Sequence, residues 1–199
     1  MTKSGEPATG WKTGPYHSDV RIAIVGTSGS GKSTLSLRIS ESLDIPHVEL
    51  DALWHRPGWT TVTEDELRAQ VREALTADGW VADGNYSAVR ELVWGSADII
   101  IWLDYPRWFV MQRMVRRSLR RVSMRVELWH GNREELRRLL AFDPEENIVL
   151  WAWTTHAMNR EQYDAAFSDP RWADKRRVRL RSAREARRFV AGLSSLTGP

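Results

Sequence analysis

Val20-Arg21-Ile22-Ala23-Ile24-Val25-Gly26-Thr27-Ser28-Gly29-Ser30-Gly31-Lys32-Ser33 decides the fold of this 199-residue chain. The first six residues are a β-branched, apolar run that stops at a glycine, the pattern of a buried strand. From Lys32 to about Leu43 the period changes, and Leu35, Ile39 and Leu43 fall on one face of a helix. Between the two lies a complete Gly-x-x-x-x-Gly-Lys-Ser. Flanked by a strand and a helix, that spacing is a phosphate-binding loop, or P-loop. Its glycines let the backbone N–H groups of Gly26, Thr27, Ser28, Gly29, Ser30 and Gly31 turn toward phosphate oxygens. The helix start adds its positive dipole end. Lys32 is expected to reach the β- and γ-phosphates and Ser33 to ligate Mg²⁺. Thr34 either touches the α-phosphate or is an ordinary helix-start residue.

Outward from this stretch, strand and helix signals alternate. His47-Val48-Glu49-Leu50 reads as a second strand, and Asp51 to Trp59 as a loop containing Pro57-Gly58. Thr63-Glu64-Asp65-Glu66 is a capping box that opens a helix with Leu67, Val71 and Leu75 inside. Trp80-Val81-Ala82 is a third strand, and Ala97 to Leu103 a fourth, central by its near-continuous apolarity. Helices are expected over about 107–121, 132–141 and 144–158. Val178-Arg179-Leu180 reads as a last, weak strand. Ser182-Ala183-Arg184-Glu185 caps a final helix with Ala186, Phe189, Val190 and Leu193 inside. The alternation implies βαβ units, hence an α/β fold with a parallel sheet between helices. In such sheets ligands sit beyond the carboxyl ends of the strands.

Those ends carry the remaining candidates. Asp83 ends the third strand, where a carboxylate can hold Mg²⁺; an Asp-Gly turn is the alternative. Asn85 and Tyr86 continue the same rim, and Arg90 further on could pair with an acceptor's charge or be a surface arginine. Asp51 ends the second strand, placed to accept or orient the proton of an acceptor hydroxyl, or else to cap the turn. Trp54 and Trp59 could stack on a substrate or belong to the core, and His55 reads as a loop histidine. Asp104 is either a metal-site carboxylate or the cap of the turn made with Pro106. Arg113, Arg116, Arg117 and Arg120 share a connected helical face, able to close over a transferring phosphoryl group or to stand in solvent.

Composition narrows the classes. The chain has no cysteine, which excludes disulfides and thiolate chemistry, and it has no apolar run near the ~20 residues of a membrane span. Residues 1–18 read as a disordered leader without a signal-peptide core, and residues 19–199 as a single domain of a cytoplasmic, monomeric protein. The net charge is only +3, but arginine is dense over 113–138 and 171–188. Such stretches can hold nucleic acid, though no recognition motif accompanies them. Eleven tryptophans are an unusual number with no single physical account.

Taken together, the P-loop from Gly26, Glu49-Leu50-Asp51-Ala52-Leu53-Trp54 with Trp59, Trp80-Val81-Ala82-Asp83-Gly84-Asn85-Tyr86, Ala97-Asp98 through Asp104, the arginine helix and Gly131-Asn132-Arg133-Glu134 resemble the P-loop kinases of the adenylate, shikimate and gluconate kinase group. Among these they are most similar to the adenylate-kinase-like bacterial proteins called topology modulation proteins. The resemblance covers about residues 20–190. It implies a five-stranded parallel sheet, an acceptor-binding insert over about 51–79 and a helical lid over about 113–170. It also implies ATP and Mg²⁺ as cofactors and transfer of the γ-phosphoryl group to a small-molecule or nucleotide acceptor. Lys32, Asp51, Asp83, Arg113, Arg117 and Arg120 are the expected catalytic set. Where adenylate kinases follow Asp-Gly with Phe-Pro-Arg, this chain has Asn85-Tyr86-Ser87, which points away from AMP as acceptor. The competing classes are an NTP-binding regulator or weak NTPase, and a nucleic-acid-associated protein.

Overall fold

The computed structural model describes residues 19–124, 127–131 and 148–197. The expected leader, the helix expected over 132–141, the start of the one expected at 144 and Asn132-Arg133-Glu134 lie outside the described residues.

The P-loop stretch folds as its sequence dictates. β1 (Arg21–Gly26) is buried over its last five residues, and α1 (Lys32–Leu43) buries Leu35, Ile39 and Leu43. β2 (His47–Glu49) stops one residue earlier than its apolar pattern suggests. Leu50 instead opens a short helix, α2 (Leu50–Trp54), where a loop was expected. Buried Leu50 pins that helix against Gly84 at the end of the third strand. A single turn, Pro57–Trp59, and an antiparallel bridge between His55 and Thr61 close the segment.

α3 (Glu64–Ala74) starts with the predicted capping box. Thr63 Oγ1 accepts from the Glu66 amide at 3.2 Å, and Glu66 Oε2 accepts from the Thr63 amide at 2.8 Å. β3 (Trp80–Asp83), α4 (Ser87–Ser96), β4 (Ile99–Leu103) and α5 (Arg107–Ser123) follow. A turn at Trp129–Gly131 precedes α6 (Ile148–Ser168), which runs ten residues past the expected end at Met158. No glycine or proline interrupts it before Pro170. β5 (Arg176–Leu180) and α7 (Ala183–Thr197) complete the chain. At the start of α7, Glu185 Oε2 takes the Arg181 amide at 2.8 Å, one residue before the position a strict capping box uses.

The five strands form one parallel sheet in the order β2-β3-β1-β4-β5. Their period-2 alternation fills both faces. Ile22, Ile24, Ile99 and Ile101 pack on one side with α1, α5 and α7. Ala23, Trp80, Ile100 and Trp102 pack on the other with α3, α4 and α6. Four of the tryptophans, Trp80, Trp94, Trp102 and Trp172, are thereby core residues. Chain order reverses at β1, with β3 on one side and β4 on the other, and that switch opens a crevice at the carboxyl ends. No helix among the described residues is long and apolar enough to cross a membrane.

Candidate active site

The loop after β1 is a cradle for an anion. Gly31, the N-cap of α1, has φ 97°, and no side chain caps the helix, so its first amides face the loop's interior. That φ favours glycine, and a Cβ on Gly31 would stand 2.7 Å from Nη2 of Arg113. Ser30 Oγ is buried with no hydrogen-bond partner among the described residues. Uncapped amides and an orphaned hydroxyl fit a phosphate chain. Lys32 folds over the loop, with Nζ donating to the carbonyls of Gly26 at 3.0 Å and Thr27 at 3.5 Å. Burial lowers its pKa, Asp51, Asp83 and Glu49 oppose that shift, and the charge of Arg117 adds to it. Thr27 is buried, and Thr34 is exposed in the first turn of α1.

Parallel register sets two carboxylates side by side, since Glu49 of β2 pairs with Asp83 of β3. Both meet Ser33: its Oγ donates to Asp83 Oδ2 at 2.8 Å and lies 3.2 Å from Glu49 Oε1. Asp83 Oδ1 is 2.6 Å from Nε2 of His47. Burial works against a charge on His47, but the hydrogen bond to Asp83 and the charges of Asp83 and Glu49 outweigh it and raise its pKa. Among the described residues no group of three or more His, Cys, Asp or Glu could by itself hold a metal. A hydroxyl beside two carboxylates, short of a full cage, fits Mg²⁺, which keeps several waters and shares phosphate oxygens. Glu49 and His47 were not singled out from sequence; a strand-pairing register would have found both.

Asn85 locks the P-loop to the rim. Its Nδ2 donates to the Gly26 carbonyl at 2.5 Å, and its Oδ1 accepts from the Gly26 amide at 3.3 Å. Tyr86 donates to Asp51 Oδ1 at 2.7 Å. Burial, then the charge of Asp51, push the phenol far above its usual range, so it stays protonated and orients the carboxylate. Asp51 Oδ2 has no hydrogen-bond partner among the described residues.

Aromatic rings wall this space. Trp54 lies 5.4 Å from Tyr86, and His55 stacks on Trp129 at 5.6 Å with Trp59 edge-on to both. Burial lowers the His55 pKa. Trp129 Nε1 donates to Glu49 Oε2 at 2.8 Å, and His130 Nε2 lies 3.1 Å from the Ala52 carbonyl. Trp129 had no place in the sequence-based set; its partner lies 80 residues away.

The arginine helix splits. α5 packs on the loop, with Met114 and the Val110 carbonyl 3.2 Å from a Cβ on Gly29. Arg113 and Arg117 are half-buried on that side, while Arg116 and Arg120 are exposed. Arg90 joins neither group: it lies over the Trp94 ring at 5.7 Å, in a separate cleft.

Asp104 is 6% exposed and bound by two arginines. Arg160 of α6 contacts it at 2.8 Å and Arg179 of β5 at 2.8 Å, with the Arg179 guanidinium 4.0 Å over the Trp102 ring. This is a clamp joining α6 to the sheet. Asp104→Ala removes the shared acceptor of both arginines, while Asp164 still holds Arg179 at 2.6 Å, and is expected to cost about 1.5–3 kcal/mol in denaturant unfolding.

Asp83→Asn is expected to shift the Mg²⁺ concentration needed for nucleotide binding upward by about tenfold while metal-free binding changes little. Superimposed metal titrations of variant and parent would reduce Asp83 to a hydrogen-bonding residue.

Compared with solved structures, the chain is similar to a gluconokinase from Sinorhizobium meliloti 1021, at 20% identity and TM-score 0.51, over 90% of this chain and 96% of that one. It is also similar to a shikimate kinase from Acinetobacter baumannii in complex with shikimate, at 16% identity and TM-score 0.53, over 93% of each chain. This is the P-loop kinase fold. At these identities the likeness is one of fold. Neither a family model nor a curated protein matches the sequence, so the closer resemblance to topology modulation proteins rests on sequence elements alone.

Proposed function

We propose that this chain is a phosphotransferase that moves the γ-phosphoryl group of Mg·ATP to a hydroxyl of a small acceptor seated against Asp51. The observation that carries this reading is the Tyr86–Asp51 hydrogen bond, 2.7 Å, beside the P-loop lysine. A bare NTP-binding regulator has no use for a second, oriented carboxylate on the far side of the phosphate cradle.

Each residue then has a task. The P-loop amides and Lys32 hold the phosphates. Ser33 and Asp83 would hold Mg²⁺, with Glu49 beside them; the ion supplies charge neutralisation on the transferring group. Asp51 takes the acceptor's proton through Oδ2, the acceptor oxygen bonds to the γ-phosphorus, and the bond to the ADP oxygen breaks. Arg113 and Arg117 meet the charge that develops on the phosphoryl oxygens. Trp54, Trp59, Tyr86 and Trp129 shape the acceptor space. The insert over about 51–79 and the lid over about 113–170 are the parts expected to close around it, within one domain over 19–199.

Labelled ATP, screened against polyols, hydroxy acids and nucleosides, tests the reading. Label is expected on one acceptor class at a rate well above release as inorganic phosphate. Release to water alone, unchanged by every acceptor, favours the weak-NTPase reading.

A further inference from the structure

A second charged cleft lies on the flank of the sheet. It has a volume of about 410 Å³ and is lined by Arg68 and Arg72 of α3, Arg90 and Glu91 of α4, and Arg171 with Trp172 in the turn before β5. The first turn of α4, Ser87 and Ala88, opens into it with no side-chain cap.

Arg72 and Arg171 of this cleft lie away from the P-loop crevice. α3 runs away from the carboxyl ends of the strands, and Arg72 sits in its last turn. Arg171 sits five residues before β5, whose first residue pairs with Ile99 at the amino end of β4. The cleft therefore reaches from the start of α4, next to Tyr86 on the rim, toward the amino ends of β4 and β5.

Its charges are unequally spent. Arg68 is held by Asp65 at 3.2 Å and by the Ala88 carbonyl at 3.1 Å. Arg171 is held by Glu91 at 2.6 Å and Asp169 at 2.9 Å. Arg72 and Arg90 have no acidic partner among the described residues; Arg90 has only the Trp94 ring. Two guanidinium groups without an acidic partner among the described residues, lining one concave space, match a doubly charged anion. Guanidinium forks suit phosphate oxygens bidentately. A 410 Å³ hollow lies in the range of small-molecule sites, whereas a polymer follows an extended stripe. The geometry points to a second binding site in this chain, for a small anion that carries a phosphate group, formed by Arg72, Arg90 and the start of α4.

The test is calorimetric titration of pyrophosphate into the full chain carrying Lys32→Ala, which disables the P-loop. One site per chain is expected to remain. Adding Arg72→Gln and Arg90→Gln should weaken it about tenfold or more. Arg72→Gln alone, at an exposed residue with no partner to lose, should weaken it about threefold or more without altering thermal unfolding. Glu91→Gln removes the one acid in the lining and leaves Arg171 paired with Asp169 alone, so it should tighten binding. Loss of all pyrophosphate binding with Lys32→Ala overturns the proposal, as do affinities within twofold across the arginine variants. A single-stranded oligonucleotide that outcompetes pyrophosphate, with a steep salt dependence abolished by the same arginine changes, also overturns it in favour of a nucleic-acid surface.

Discussion

Lys32→Ala is expected to weaken Mg·ATP binding about 100-fold or more and to leave no measurable turnover, with the fold intact. The lysine folds directly over the loop, its Nζ held by the Gly26 and Thr27 carbonyls. Those two bonds are replaceable by water, so their loss should cost the apo protein little. Water cannot replace the charge toward the phosphate chain. Burial lowers the pKa of the ammonium, and the carboxylates of Asp51, Asp83 and Glu49 oppose that shift. Thermal unfolding close to the parent's together with a lost binding isotherm is the predicted pair of results. Unchanged nucleotide affinity in a folded variant would contradict the P-loop assignment.

Arg113→Ala is expected to lower kcat by about 10²–10³, with a change in ATP affinity of about threefold or less. Its guanidinium lies so close to Gly31 that a single methyl group would collide with it. A charge at that position, over the phosphate cradle, meets the transferring group most strongly when negative charge builds on its oxygens. An interaction made mainly in the transition state appears in kcat. Arg117, half-buried and close enough to affect the Lys32 ammonium, should behave similarly. Arg120, expected from sequence to share this role, is exposed near the end of α5, and Arg120→Ala should change kcat less than twofold. Equal effects at all three positions would return the helix to the face read from spacing alone.

That contrast shows where sequence reading stopped. The strand–loop–helix of β1, the P-loop and α1 was legible because its signals are local: β-branched residues, glycines at fixed offsets, then a 3.6-residue period. The capping box at Thr63 was legible for the same reason. The five-residue helix α2 was not, since it is too short for a period to emerge, and buried Leu50 fixes it through a contact with the distant Gly84. The acceptor wall depends on still longer connections. Tyr86 meets Asp51 across 35 residues and Trp129 meets Glu49 across 80. Helical spacing placed Arg113, Arg116, Arg117 and Arg120 on one broad face, but only the packing of Val110 and Met114 against Gly29 determines which edge of that face meets the loop. Asp104 had two readings in sequence, a metal-site carboxylate or a turn cap, and the clamp is a third, made by arginines from α6 and β5.

The central claim is that Asp51 serves an acceptor hydroxyl opposite the phosphate cradle. Phosphorus NMR of the parent and of Asp51→Asn, each with Mg·ATP and the acceptor found by screening, tests it most directly. The parent should convert ATP to ADP with one equivalent of a new phosphomonoester. The variant should bind Mg·ATP within about twofold of the parent but form the phosphomonoester at least about 100-fold more slowly. Phosphomonoester formation by Asp51→Asn at the parental rate would contradict the account.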